Sequence, residues 1–471
     1  KPKFSRQMYL TGRQGYLNTI EKHMKNMRTK FISVLLLASI GWFSDAVSAQ
    51  AIPVTIEKNA DGEWQLMRNG EPYYIKGVGG KEHLDVAIEI GANSFRTWSP
   101  DDADEVLALA EELDLTVMMG LWVGHERHGF DYNNEAKVQA QLEYFTSVVE
   151  KYKDHPNILL WGIGNEVDLF YSNTKVWDAI EDIAAMVKRL DPNHPTTTVT
   201  AGLDSREVKL IMEKAPSIDI YGINTYGDIG IVKDTIRAAG WKGPYIISEW
   251  GPTGHWEVAK TMWGAPVEQS SSEKAVSYRN RYKDYIASDK EMCIGSYVFL
   301  WGQKQETTST WYGMFSNEGY SSEAINVLEE LWTGKIPDNR APGIEKVMLN
   351  GMVKGDSILL TADHMYEAEV FINDPDGDDM KYIWEVVKES QDIKAGGDAE
   401  TRPPSVKGLG VKKKGNTVKF RAPVDEGPYR LFFFAYDGNE HYAYTNIPFY
   451  VMPASDDDQE GRPVTFKKRS L

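Results

Sequence analysis

A (β/α)8 TIM barrel of the α/β class, followed by an all-β immunoglobulin-like sandwich, is the fold this sequence predicts, and three observations predict it. Short β-rich apolar runs alternate with helical patterns eight times. The alternation occupies about 260 positions, close to the roughly 250 residues usual for such a barrel. Past Trp332 it stops, and only strand-like runs remain.

The elements follow in order. Met27-Arg28-Thr29-Lys30, the apolar run Phe31 to Phe43 and Val47-Ser48-Ala49 read as a basic start, a hydrophobic stretch and a small-residue cleavage pattern. Residues 1–49 are therefore expected to be a leader containing a signal peptide at about 27–49, and the chain to be secreted or periplasmic. The apolar run is shorter than the roughly 20 residues of a membrane span, and no later run approaches that length, so no membrane span is expected. Residues 50–335 are assigned to the barrel and a short N-terminal hairpin. In the hairpin, Val54 to Glu57, Trp64 to Met67 and Tyr73 to Lys76 are separated by Asp61-Gly62 and Asn69-Gly70, and it is expected to cap the barrel entry.

The eight barrel strands are placed at Ile75 to Val78, Ser94 to Trp98, Thr116 to Trp122, Ile158 to Ile163, Thr196 to Thr200, Ile218 to Asn224, Tyr245 to Ser248 and Ile294 to Trp301. Gly334 to Gly343 is rich in Pro and Gly and reads as a linker. Residues 344–452 are expected to form the sandwich, and residues 453–471 a loose charged tail. The single cysteine, Cys293, lies in an apolar run and is expected to be a buried strand residue, so the chain must be held by its core without disulfides.

The formal charge is −17, and residues 1–49 carry eight Lys/Arg against two acids, which leaves about −23 on the remainder. Such a surface repels nucleic acid and anionic membranes. A neutral partner is expected, and 14 Trp with 24 Tyr suit stacking on sugar faces.

Active sites of this fold lie at the C-terminal ends of the strands. Trp161-Gly162-Ile163-Gly164-Asn165-Glu166 puts a carboxylate just past strand four, and Ile246-Ile247-Ser248-Glu249-Trp250 puts another at the end of strand seven. Cleavage of a glycosidic bond needs a proton on the leaving oxygen and a nucleophile or negative charge beneath the anomeric carbon, and two carboxyl groups provide both. An expected polysaccharide or oligosaccharide substrate follows. Scattered histidines give no metal set at the strand ends, and no cofactor or metal is expected. The run Asp374-Pro375-Asp376-Gly377-Asp378-Asp379 has acidic residues in a Ca2+-loop style but lacks the downstream Glu of a helix-loop-helix site, and it reads as a solvated hairpin turn.

With Asn-Glu closing the fourth strand and a lone Glu closing the seventh, the barrel resembles clan A glycoside hydrolases. The resemblance implies a retaining mechanism with Glu166 as acid/base, Glu249 as nucleophile and Asn165 on the sugar 2-hydroxyl. It also implies that Arg96 keeps the nucleophile ionised and that Tyr226 donates its hydroxyl to it. Beside these, Trp301 at the end of strand eight is expected to stack on the sugar, and His125 to bond a sugar hydroxyl. Trp98, Trp250 and Trp311 are candidate stacking platforms, and Glu306 a candidate hydroxyl ligand.

The layout of barrel then sandwich looks like glycoside hydrolase family 158, which implies endo-1,3-β-glucanase action on laminarin-like glucan. Tyr74-Ile75-Lys76-Gly77-Val78 is also similar to the openings of family 2 barrels and of family 72 β-1,3-glucanosyltransferases. A family 2-like exo-β-glycosidase and a glycosyl transfer activity are thus the alternatives. A non-catalytic glycan-binding protein is a third, disfavoured because both Glu166 and Glu249 are present. A monomer is the default expectation.

Overall fold

The computed structural model describes residues 50–454. The leader and almost all of the tail lie outside the described residues. Three short strands come first, β1 (Val54–Lys58), β2 (Trp64–Arg68) and β3 (Glu71–Tyr73), paired antiparallel in the order β1-β2-β3. Eight parallel strands follow: β4 (Ile75–Gly79), β5 (Ser94–Arg96), β6 (Thr116–Leu121), β7 (Ile158–Ile163), β8 (Thr196–Ala201), β9 (Ile220–Asn224), β10 (Tyr245–Trp250) and β11 (Cys293–Val298). They close in sequence order, with β11 pairing β4 from Gly295↔Ile75 to Val298↔Val78. A strand covered by helices outside and by its neighbours inside is apolar on both faces, and β6, β7 and β11 are buried at every position. Cys293 is among those buried residues.

The surrounding helices present apolar residues at helical spacing. Lys175–Leu190 buries Val176, Trp177, Ile180, Ile183, Ala184 and Val187 against the barrel. Ser271–Arg281 starts with a reciprocal capping box between Ser270 and Glu273.

The small sheet β1–β3 closes the barrel floor rather than its entry. Val54 and Leu66 pack into the same cluster as Ile75, Leu160, Ile220, Ile246 and Ile294, residues at or near the starts of barrel strands. Val54 N–H donates to Asn193 O, and Trp64 N–H to Glu291 O, both on segments that enter strands. The plug therefore faces away from the strand ends where the carboxylates lie.

The C-terminal part is an immunoglobulin-like sandwich of two sheets. The first contains β12 (Gly343–Leu349), β13 (Met352–Val353), β15 (Met365–Asn373), β17 (Lys412–Lys414) and β18 (Thr417–Arg421), in the order β13-β12-β15-β18-β17. The second contains β14 (Ile358–Thr361), β16 (Lys381–Lys388), β19 (Gly427–Tyr436) and β20 (Tyr442–Met452), in the order β14-β20-β19-β16. Leu349, Val370 and Phe420 of the first sheet meet Phe433, Ile447 and Phe449 of the second in one apolar core.

Barrel and sandwich share a buried polar seam. Glu268, 1% exposed, accepts from Lys274 Nζ at 2.6 Å, Thr308 Oγ1 at 2.6 Å, Thr310 Oγ1 at 2.8 Å and, across the seam, Asn446 Nδ2 at 2.5 Å. Arg430 of β19 donates to Pro266 O at 2.6 Å. Burial alone raises the Glu268 carboxyl, but Lys274 and the hydroxyls around it hold it below the usual carboxylate range.

Removing one member of such a pair leaves an uncompensated buried charge, at a cost of about 3–5 kcal/mol. Lys274→Met is expected to lower unfolding stability by about that amount in urea titrations, and Lys274→Met with Glu268→Gln by less. Equal losses in the single and double variants would contradict this account of the seam.

Candidate active site

Two local distortions aim the carboxylates into the barrel mouth. After β7 the chain turns through Gly164 at φ 76° and Glu166 at φ 51°, a left-handed backbone uncommon for a non-glycine residue. The turn is pinned by Glu166 N–H donating to Val199 O of β8 at 2.9 Å. Between β10 and β9 the register runs Ile247↔Ile223 and then Glu249↔Asn224, so β10 carries an extra residue at this point. Such a bulge re-aims a side chain, and here both Ser248 and Glu249 reach the interior side. Ser248 Oγ donates to Asn224 Oδ1 at 2.8 Å.

Glu249 is surrounded by donors. Arg96 Nη1 lies 3.1 Å from Oε1, Trp98 Nε1 donates to the same oxygen at 2.8 Å, and Tyr226 OH donates to Oε2 at 3.1 Å. Burial pushes the Tyr226 hydroxyl well above its ordinary value, so it remains a phenol that can donate. Arg96 is 2% exposed and also donates to Ser248 O at 2.7 Å, Asn224 Oδ1 at 3.3 Å and Asn165 Oδ1 at 2.6 Å. Asn165 Oδ1 accepts a second bond from Asn224 Nδ2 at 3.1 Å, an arrangement that assigns its amide oxygen to the network.

Glu166 has a different setting. Its side-chain hydrogen-bond partner is neutral, Asn224 Nδ2 at 2.9 Å from Oε1. Enclosure in the mouth, with the like charge of Glu249 second, pushes its carboxyl up to about 8 against the opposing Asn224 bond. One carboxyl is thus held by a guanidinium, an indole and a phenol, and the other is pushed toward its protonated form. A carboxyl pushed up by its enclosure, beside one ringed by donors, is the arrangement of an acid paired with a nucleophile or base.

Both carboxyl groups line a cavity of about 830 Å3, with Trp98, Asn165, Asn224, Tyr226 and Glu306 also in its wall. Rim aromatics are exposed, Phe170 by 70%, Trp256 by 55% and Trp122 by 37%. Part of the wall comes from the sandwich. The segment Ile393 to Gly397, between β16 and β17, lies across the mouth. On one side Arg127 Nη1 donates to Asp398 Oδ2 at 2.8 Å and to Ala395 O at 3.2 Å, with His128 Nε2 3.0 Å from the same carboxylate. On the other, Lys304 Nζ donates to Gly397 O at 2.6 Å and Thr307 N–H to Glu400 Oε2 at 2.6 Å. Gly396, at φ 62°, sits so close that a Cβ would meet Leu169 Cδ2 at 2.7 Å.

Several expected site residues lie elsewhere. Trp301 is buried against Phe315 and donates Nε1–H to His83 O at 3.2 Å, because β11 ends at Val298 and the chain then turns. Phe299, two residues earlier, faces the cavity instead. Trp250 points outward, fully buried beside Tyr278 and Tyr282 of the helical layer. Trp311 is buried behind the mouth, with Nε1–H on Thr253 O at 3.0 Å. His125 is 2% exposed, and its Nε2 bonds Asn165 O at 2.6 Å, so it braces the Asn-Glu turn and does not reach the cavity. Burial pushes its imidazole down to about 4, which keeps it neutral. Trp98 serves Glu249 as a donor, and Glu306 is engaged by Lys304 at 2.8 Å.

Asn224, Phe299, Trp122, Phe170, Trp256 and the sandwich segment were not singled out from sequence. Asn224 had a signal, as the one polar side chain closing Ile220–Asn224. The sandwich segment had none.

Residues 81–255 match the glycosyl hydrolases family 2 TIM barrel domain. The barrel is thus similar to those of clan A glycoside hydrolases. A β-glucuronidase from Canis lupus familiaris is 27% identical over 196 residues, 37% of this chain and 28% of that protein. One from Paenibacillus borealis is 24% identical over 356 residues, 65% of this chain and 56% of that protein. This chain thus spans little more than a quarter of the length of the mammalian relative and just over half that of the bacterial one. Among solved structures, a β-glucuronidase from Ruminococcus gnavus superposes with a TM-score of 0.46 at 18% identity, over 60% of this chain and 52% of that one.

Asp398 ties the sandwich segment to the barrel through Arg127 and His128. Asp398→Ala is expected to speed hydrogen exchange at the amides of residues 393–400 while leaving exchange in β7 and β10 unchanged. Unchanged exchange in the segment would show that Lys304 and Glu400 suffice to hold it.

Proposed function

We propose that this protein is a retaining β-glycosidase acting by double displacement. The observation that carries the reading is the asymmetry of the two carboxyl groups. Glu249, ringed by Arg96, Trp98 and Tyr226, attacks the anomeric carbon as the C1–O bond breaks. Glu166, protonated at neutral pH, delivers its proton to the leaving oxygen. Water then attacks C1 of the Glu249 ester, Glu166 takes a proton from that water, and the sugar leaves with its configuration retained. The side-chain amide of Asn165, with its oxygen engaged by Arg96 and Asn224, offers its N–H to a sugar hydroxyl.

The sandwich segment across the mouth favours action at chain ends or on short oligosaccharides, the mode implied by the family 2 match. The lining also favours a neutral sugar over a uronate. Lys304 is engaged by Glu306 and Gly397 O, and Lys394 Nζ by Ala399 O at 2.6 Å. Endo-1,3-β-glucanase action is the second reading, favoured by the exposed Trp122, Phe170 and Trp256 around a cavity large enough for several sugar rings. In either case the chain would act outside the cytoplasm, as its N-terminal leader pattern implies.

The test is product release from laminarin, laminari-oligosaccharides, aryl β-glycosides and an aryl β-glucuronide. Monosaccharide alone supports end-on action and mixed oligosaccharides support endo action. Preferred cleavage of the glucuronide overturns the neutral-sugar reading. Absence of turnover on all of them removes support for hydrolysis of these substrate classes.

Glu249→Ala is expected to fall below about a thousandth of wild-type turnover, with azide partly restoring it and giving an inverted glycosyl azide. Because the acid must be protonated, kcat/KM is expected to fall as pH rises through about 8, the value to which Glu166 is pushed. Glu166→Gln is expected to lose about 10²–10⁴-fold on substrates with poor leaving groups and to lose that basic limb. A basic limb unchanged in Glu166→Gln would overturn the acid assignment.

A further inference from the structure

Outside the mouth, three more carboxylates converge. Asp374 follows β15 and opens the turn Asp374-Pro375-Asp376-Gly377-Asp378, while Asp437 follows β19 in the facing sheet. Asp374, Asp378 and Asp437 each place an oxygen within 4.8 Å of the other two. Asp374 is 8% exposed and Asp437 3%. One oxygen of Asp374 accepts the backbone N–H groups of Asp376 and Asp378, at 3.0 Å each. Its other oxygen, Oδ2, is buried and has no hydrogen-bond partner.

Neutral amides and a histidine surround the group. Asn439 Nδ2 donates to Asp378 Oδ2 at 2.8 Å and Asn339 Nδ2 to Asp437 Oδ2 at 3.2 Å, and His441 Nδ1 lies 3.6 Å from that oxygen. Among the described residues no lysine or arginine pairs with any of the three, since the neighbouring Arg340 is taken by Asp376 at 2.8 Å. Carboxylates this close repel one another, and burial strengthens the repulsion while removing the water that would relieve it. A cation is the partner this arrangement lacks.

We propose that Asp374, Asp378 and Asp437 bind Ca2+. The available donors are all hard oxygens, and Ca2+ accepts six to eight of them at about 2.3–2.6 Å, so ligands on opposite sides of it stand roughly 4.6–5.2 Å apart. Asp374 Oδ2 supplies a buried ligand, and the partly exposed Asp378 leaves a side open to water. The ion joins the end of β15 in one sheet to the end of β19 in the other. It also fixes the loop that meets the barrel, where Ser321 N–H donates to Glu440 O at 2.8 Å and Tyr442 N–H to Ser321 O at 2.9 Å. This site is independent of the glycosidase reading.

The experiment is calorimetric titration of the EDTA-treated full chain with CaCl2 and, in parallel, MgCl2, with thermal melts in each. One Ca2+ per chain, weaker Mg2+ binding and a Tm raised by a few degrees at saturating Ca2+ are expected. Asp374→Asn with Asp378→Asn is expected to melt as the ion-free wild type does and to lose the Ca2+ response. Should that variant fail to fold, Asp378→Asn alone is expected to weaken Ca2+ binding at least about tenfold, by loss of one charged ligand. No saturable Ca2+ binding by the wild type, undiminished binding by a folded variant, or tighter Mg2+ than Ca2+ binding would overturn the assignment.

Discussion

Arg96, buried at the end of β5, touches acceptors from three other strand ends: Asn165 beyond β7, Asn224 of β9, and Ser248 and Glu249 of β10. A guanidinium removed from water must be compensated, and its planar fork fixes the directions in which compensation can come. Glu249 supplies the charge, and the amides and the carbonyl supply the remaining acceptors. The mouth is therefore organised around a cation that cannot be moved without unsettling all four partners. The bulge in β10 and the left-handed turn at Glu166 are distortions held against this centre, with Val199 O and Asn224 fastening the Glu166 side. The same centre creates the electrostatic contrast on which the proposed chemistry rests, because its charge and donors are directed at Glu249 and leave Glu166 with a neutral amide.

Much of this was legible in the sequence. All eight barrel strands coincide with short β-rich runs, because a strand buried on both faces leaves an unbroken apolar record bounded by polar residues. The ends of those runs likewise disclosed Glu166, Glu249, Arg96 and Asn165, since a polar side chain closing an apolar strand has nowhere to go but the mouth. Tyr226, just past β9, was equally readable, and the structure brings it to Glu249.

The tryptophans were the failure. Whether Trp250 or Trp301 faces the cavity depends on one residue of register, and a bulge in β10 and a turn after Val298 decide it without leaving a compositional trace. His125 was misread for a related reason, since a loop histidine looks the same whether it meets a ligand or a backbone carbonyl. The Asp374 turn reads from sequence as a solvated hairpin, but it carries the chain from β15 in one sheet to β16 in the other, and Asp374 is buried. Its third carboxylate, Asp437, arrives from the other sheet and has no local signal.

The sandwich segment at the mouth has a consequence for how such a chain can change. Arg127 and Asp398 are 271 positions apart, so the reacting groups and part of the rim around them are encoded in separate modules joined by a linker. A gene rearrangement that exchanged the C-terminal module would refit the rim while leaving Arg96 and its partners untouched. On the proposed reading, substrate range and bond-breaking chemistry are then heritable as two traits, coupled only where an incoming module must still meet Glu268 and Pro266 across the seam.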